Sequence, residues 1–400
     1  MCNHAAQCYG MGNRAGGNGS PLPRPPTQPQ VARGVMEESA MQTILLIGTA
    51  KGLFVFQSED RASWRRRGPE FAETPVYAAV LDERSGTMYA GVNSEFYGAS
   101  IRRSKDLGQT WDTGGEGLEY SAQDPEKVRR VWSIVPSGAK EPNVVYAGVE
   151  ASGLFRSNDG GDTWSEVGAL REHPTHELWG PGAGGKCLHT IAVDPADSSR
   201  LYIACSAGGF YRSDDQGASW TPRNVGLEAE FMPEDQRFPV AGQCVHKFSL
   251  SPTRPGRIWL QNHGGVYRSD DAGETWIDVG AGLPADFGFP VVANPRNEDA
   301  AFVIPLQGGD HRWAPGARLA VYATEDAGET WQARSEGLPA EAYTSALRDA
   351  FRADGADPLG LYLGTTSGSL FASRDAGAHW TEIAHHLPRI HSVTAWSLPA

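Results

Sequence analysis

The sequence predicts an all-β fold: a single seven-bladed β-propeller whose C-terminal strand completes the first blade. Three observations predict it. One turn pattern recurs along most of the chain. The composition is that of many short strands and turns. Finally, a strand pattern is left over at the C-terminal end, where the first repeat is one strand short.

The turn pattern is Ser/Thr-x-Asp-x-Gly-x-x-Trp. It ends at Trp111, Trp164, Trp220, Trp276, Trp331 and Trp380, and a shorter copy without the glycine ends at Trp64. Successive tryptophans are 47, 53, 56, 56, 55 and 49 residues apart, the length of a four-stranded blade. As a hairpin turn the pattern is self-explanatory. The Asp accepts hydrogen bonds from N–H groups of its own turn, the Gly allows positive φ, and the Trp opens the next strand and packs on the sheet. These aspartates are therefore expected to make turns, not to catalyse.

Around Trp220 all four strands can be read: Leu188–Val193, Leu201–Cys205, Gly209–Ser213 and the segment that Trp220 opens. The same pattern is expected around every copy. The first copy has only 43–48, 52–57 and the segment from Trp64, and lacks an innermost strand. Residues 390–398 supply a spare one. Pairing the two ends removes open sheet edges, so 42–398 is expected to form one propeller domain.

Composition agrees. The 400 residues hold 48 Gly and 12 Trp, and 40% are apolar, enough for a full core. The net charge of −13 argues against nucleic acid and against anionic membrane surfaces, and no apolar run approaches a membrane span. Five cysteines without framework spacing exclude a disulfide scaffold. Residues 1–40, which include Cys2 and Cys8, read as a disordered tail: the first 35 hold 6 Gly, 5 Pro and 3 charges, too little apolar surface to offset ordering. The tail has no apolar h-region of a secretory signal, and Met36 and Met41 offer alternative starts. A cytoplasmic location is the expectation.

The turn pattern resembles the Asp box, or BNR repeat, found in sialidases, two-propeller xyloglucanases, sortilin-like receptors and photosystem assembly factors. Over about 90% of its length the chain looks most like the single-propeller bacterial proteins known as sialidase-like or BNR-repeat glycosyl hydrolases. That resemblance implies the propeller and, for function, a carbohydrate-active protein. It carries no catalytic residue across. Sialidases of this type resemble six-bladed propellers with an Arg-Ile-Pro motif, and this chain has seven turns and no Arg-Ile-Pro. The xyloglucanases resemble two propellers flanking a cleft, and this chain has repeats for one.

The site is expected on the face opposite the turns, where loops are long: 112–130, 165–186, 221–243, 93–99 and 305–318. Aligning the innermost strands on Asp194-Pro195, Ser251-Pro252 and Asn294-Pro295 places Tyr77, Trp132, His189, His246, Phe289, Tyr343 and His391 at the channel mouth. A shift of the strand after Tyr343 would bring Arg348 or Asp349 there instead. Such rings either plug the channel or line a ligand site. Two strands share Cys-x-His, Cys187-Leu-His189 and Cys244-Val-His246. Alternation puts each pair on one face, with Cys205 opposite His189 and with Asn262 and His263 beside His246. Buried free thiols are the expected reading, a zinc role the alternative.

Candidate catalytic carboxylates are Glu95, Glu177, Asp310 and Asp349, with Tyr97, Trp179, His311 and Trp313 as aromatic companions. Candidate ligand-binding residues are His189, His246, Lys247, His263, His311, Arg348, Trp132 and Trp179. Gly182-Ala-Gly-Gly185 lacks the context of a phosphate loop. Three functions fit, in this order: a propeller binding a small molecule, carbohydrate or protein; a glycoside hydrolase using the carboxylates; a metal-dependent enzyme using the histidines. No cofactor is called for, apart from zinc in the third reading.

Overall fold

The computed structural model describes residues 41–399, apart from 183, 184, 231 and 310. It is a seven-bladed β-propeller with almost no helix. Blade 1 has the strand order Ile390–Pro399, Met41–Thr49, Gly52–Ser58, Arg65–Glu70. The C-terminal strand is therefore its innermost, antiparallel to Met41–Thr49 from the pair Met41–Pro399 to Thr49–Ile390. Blades 2 to 7 begin at Val76, Arg130, Leu188, Val245, Gly288 and Phe351. Among the described residues no helix is long and apolar enough to cross a membrane. The tail expected over 1–40 lies outside the described residues.

Blade 2 departs from the expected four strands. It has three: Val76–Asp82, Thr87–Ser94 and Gly98–Ser104. Beyond Trp111 the chain leaves for blade 3, where Glu116 N donates to Asp162 O and Trp164 N to Glu116 O. Gly115 permits this. A Cβ there would stand 2.1 Å from Gly161 O, so only glycine lets the two backbones approach.

The repeated turn has one hydrogen-bond scheme. At the third copy Ser157 Oγ donates to Asp159 Oδ1 (2.8 Å), Gly161 N to Ser157 Oγ (2.7 Å), and Thr163 N and Oγ1 to the two Asp159 oxygens (2.9 and 2.6 Å). These donors outweigh a partial desolvation and hold the Asp159 carboxyl down, to about 2. The residue before the glycine is left-handed as well, as at Leu107, Gln216, Ala272, Ala327 and Ala376. Its carbonyl points at the preceding blade, where an arginine takes it: Arg67 to Leu107 O (2.6 Å), Arg103 to Gly160 O (3.1 Å), Arg212 to Ala272 O (3.2 Å) and Arg334 to Ala376 O (2.7 Å). Three of the closing tryptophans add a second link. Trp276, Trp331 and Trp380 donate their indole N–H to Arg223 O, Val279 O and Arg334 O of the blade before. The turns therefore tie each blade to its neighbour as well as closing their own hairpins.

Candidate functional site

Opposite the turns, the channel opens into a funnel of about 650 Å³. Its inner wall is made by a repeated backbone device. In six blades the innermost strand breaks register at one point: around Tyr77, Trp132, His189, His246, Phe289 and His391. A bulge leaves its extra residue outside the ladder and re-aims the side chain. Five of those six residues, all but His189, line the funnel. The position two before each bulge residue forms a second tier. Pro75, Arg130, Cys244, Phe287 and Arg389 line the funnel, and Cys187 does not. Blade 7 contributes Leu347, Arg348 and Asp349.

Several expected site residues are elsewhere. His189 is fully buried between blades, with Nδ1 against Thr190 Oγ1 (2.9 Å) and Nε2 against Val245 O (3.1 Å). Its bulge breaks the expected pairing: Cys205 stands opposite Leu188. Tyr343 is 69% exposed on an outer loop beside Trp313, and its place is taken by Arg348 and Asp349. Trp179 is only 2% exposed and packs in the core, donating to Tyr211 Oη (2.8 Å). Glu177 is exposed on a short 3-10 turn, Glu95 is exposed on the rim, and His311 is exposed with its ring edge-on to Trp313; none lines the funnel. Lys247 ion-pairs with Asp349 and lies on the far side, with only Asp349 reaching the funnel. Asp310 lies outside the described residues. His246, His263, Arg348, Trp132 and Asp349 are where the sequence put them. The arginines Arg130, Arg312 and Arg389 were missed.

Electrostatically the funnel is cationic with neutral rings. Arg130 pairs with Glu150 (2.8 Å) and reaches Glu95 at 4.0 Å. Arg312, Arg348 and Arg389 have no ion pair among the described residues. Arg348 lies over the Trp132 ring (5.5 Å), which tilts against Tyr77 (4.6 Å), which stacks on His391 (4.3 Å). Burial, then Arg389 and Arg130, pulls the His391 pKa down to about 4. Burial brings that of His246 to about 3, with Arg348 adding to it. Burial and Arg312 lower His263. Trp132 Nε1, Arg348 Nε and both ring nitrogens of His391 are buried and find no hydrogen-bond partner in the protein. Such groups cost free energy unless something satisfies them.

No family model matches the chain. Among curated proteins it is similar to an oligoxyloglucan-reducing end-specific xyloglucanase of Emericella nidulans, at 22% identity over 273 residues, 61% of this chain and 31% of that protein. It is also similar to a xyloglucanase of Hypocrea jecorina, at 25% identity over 296 residues, 68% of this chain and 33% of that one. The chain thus spans about a third of the length of these relatives. Among solved structures, an ancestral GH74 enzyme superposes with a TM-score of 0.55 at 16% identity, covering 78% of this chain and 38% of that one. A putative 6-phosphogluconolactonase from Bacteroides fragilis gives 0.53 at 10% identity, covering 89% and 98%. At such identities the structural likeness shows the fold. The class is therefore a seven-bladed propeller with xyloglucanase-like neighbours.

Proposed function

We propose that this chain is a glycoside-hydrolase-related propeller that takes a saccharide bearing an anionic group in the funnel. The observation that carries this reading is the set of unsatisfied polar groups on an aromatic wall: Arg348 Nε, Trp132 Nε1 and the His391 nitrogens, beside the Tyr77 and Trp132 faces. Flat rings stack on sugar faces, and the polar edges meet hydroxyls. Because the histidines stay neutral, the positive charge comes from Arg312, Arg348 and Arg389, which suits a carboxylate or another anionic substituent. Similarity to xyloglucanases supports the carbohydrate class.

A second reading, binding without cleavage, is favoured by the carboxylates. Hydrolysis by the usual route needs two, about 5 to 9.5 Å apart. Among the described residues Asp349 is the one carboxylate lining the funnel, and Lys247 holds it. The test is calorimetric binding and reducing-end release with acidic oligogalacturonides and neutral xyloglucan oligosaccharides. Acidic oligomers should bind, and Arg348→Ala should weaken them tenfold or more. Equal binding of neutral and acidic oligomers, unaffected by Arg348→Ala, would overturn the assignment. Binding without reducing-end release would select the second reading.

A further inference from the structure

Cys244, His246 and His263 line one side of the funnel, and their ligand atoms all lie within 4.8 Å of one another. The backbone brings them together. Cys244 precedes the innermost strand of blade 5, and His246 sits in its bulge. His263 occupies the turn between Ile258–Asn262 and Gly265–Ser269, and its N–H donates to Cys244 O at 3.0 Å. The side chains are oriented as well. His246 Nδ1 meets Gly288 O at 2.5 Å, which makes Nδ1 the protonated nitrogen and leaves the Nε2 lone pair toward Cys244. A backbone carbonyl holding the far nitrogen is the usual outer support of a metal-bound imidazole. With Zn–S about 2.3 Å and Zn–N about 2.0 Å, a tetrahedral ion spaces its sulfur and nitrogen ligands about 3.5 Å apart. Cys244 Sγ and His246 Nε2 are 3.6 Å apart.

We propose that Cys244, His246 and His263 form a zinc(II) site with three protein ligands and a fourth position open to the funnel. The neighbouring blade is a built-in control. There the same scaffold carries Cys187, His189 and, at the turn, Ser206, whose N–H donates to Cys187 O at the same 3.0 Å. Serine replaces the third ligand, and Cys187 Sγ and both His189 nitrogens are taken up by protein partners. Burial raises the Cys244 pKa and Arg348 offsets only part of that, so zinc itself must displace the thiol proton,. The open position would take water or an anionic oxygen, so the site stands whether or not the funnel's ligand is a saccharide.

The test uses the full chain, stripped by a chelator and titrated with Zn(II) or Co(II) alone. One equivalent should bind, and Co(II) should give the near-ultraviolet thiolate charge-transfer band. Cys244→Ser should abolish the band, and His263→Ala should weaken binding tenfold or more. Cys187→Ser and the double variant Cys2→Ser, Cys8→Ser should change neither. To separate binding from folding, a second measurement uses the unaltered chain: bound Zn(II) should slow iodoacetamide labelling of Cys244 at least tenfold, read by peptide mapping. Absence of saturable binding, a band that survives in Cys244→Ser, or unprotected labelling would overturn the site. So would loss of the band in the Cys2, Cys8 variant.

Discussion

Blades 4 and 5 carry the same Cys-x-His on the same bulged strand, yet only blade 5 presents it to the funnel. In blade 4 every polar atom of the pair is met within the protein: Cys187 Sγ by Ser206 Oγ at 2.9 Å, and His189 by Thr190 and Val245. In blade 5 the far nitrogen of His246 meets Gly288 O and the other faces Cys244, whose sulfur also meets the Ala207 backbone. The backbone is shared, down to the hydrogen bond from the turn residue to the cysteine carbonyl. What differs is the turn residue, serine against histidine, and which ring nitrogen meets the equivalent carbonyl of the next blade, Nε2 of His189 at Val245 O and Nδ1 of His246 at Gly288 O. A group closed on itself stabilises the fold; a group left open is available to a ligand.

The largest test of that distinction removes contacts that are wholly of the first kind. Ending the chain at Pro388 deletes the innermost strand of blade 1. It leaves Met41–Thr49 as an open edge and uncovers Leu45 and Ile47, both fully buried. Such edges pair with other chains. The expected outcome is aggregation or loss of a cooperative transition, read by size exclusion and scanning calorimetry. A soluble truncation that melts like the full chain would show that closure does not hold the ring together.

A smaller effect separates the two histidines directly. His189→Ala leaves a buried cavity and an unpaired Val245 carbonyl, an expected loss of about 2–4 kcal/mol. Because His189 does not reach the funnel, ligand and metal binding by the folded variant should stay within about twofold. His246→Ala opens onto the funnel, so its cavity fills with water. It should lose less stability but most of the binding. Denaturant melts and titrations on both variants measure this. Equal stability losses with binding intact in both would erase the contrast between the blades.

How much of this was legible in the sequence follows from the same contrast. The propeller was legible because its signal repeats: six of the seven turns carry the same Ser or Thr, Asp and Gly, whose hydrogen bonds close the turn whatever surrounds it. The C-terminal strand was legible because blade 1 lacked one. Five of the seven ring positions fell at the funnel because the strands share end turns. His189 did not, because strict alternation cannot show a bulge, and its local sequence matches that of His246. The distinguishing residue lies at the turn, Ser206 against His263. The arginines were missed because each comes from a different blade. Arg130 and Arg389 did carry a signal, two residues before Trp132 and His391, in the register of Cys244 before His246. The missing fourth strand of blade 2 had no signal in its repeat, which carries the same turn as the others up to Trp111.

The smallest expected effect is on pH dependence, and it sharpens the comparison without removing any strand. An unfolded histidine titrates near 6.5. Native His391 and His246 hold out to about 4 and about 3. Above pH 6.5 both rings are neutral in either state and contribute no pH dependence. As pH falls below 6.5 the unfolded chain takes up protons that the native chain refuses, so stability falls, until about 4 for His391 and about 3 for His246. The turn aspartates add their own loss only lower down, since Asp159 and Asp326 titrate near 2 and ordinary aspartate near 3.9,. Between pH 6.5 and 5 the histidines therefore dominate. His379 opposes them: its contact with Asp375 raises its pKa, so its contribution is present at low pH and lost as pH rises. Comparing the wild type with His391→Phe isolates the funnel, because phenylalanine keeps the stack on Tyr77 and cannot protonate. The melting temperature of the wild type should fall by a few degrees between pH 6.5 and 5, and that of the variant by less. Equal slopes would mean that His391 takes up its proton in the native funnel as readily as in the unfolded chain. The funnel's charge would then come partly from its rings, and anion binding should strengthen as pH falls.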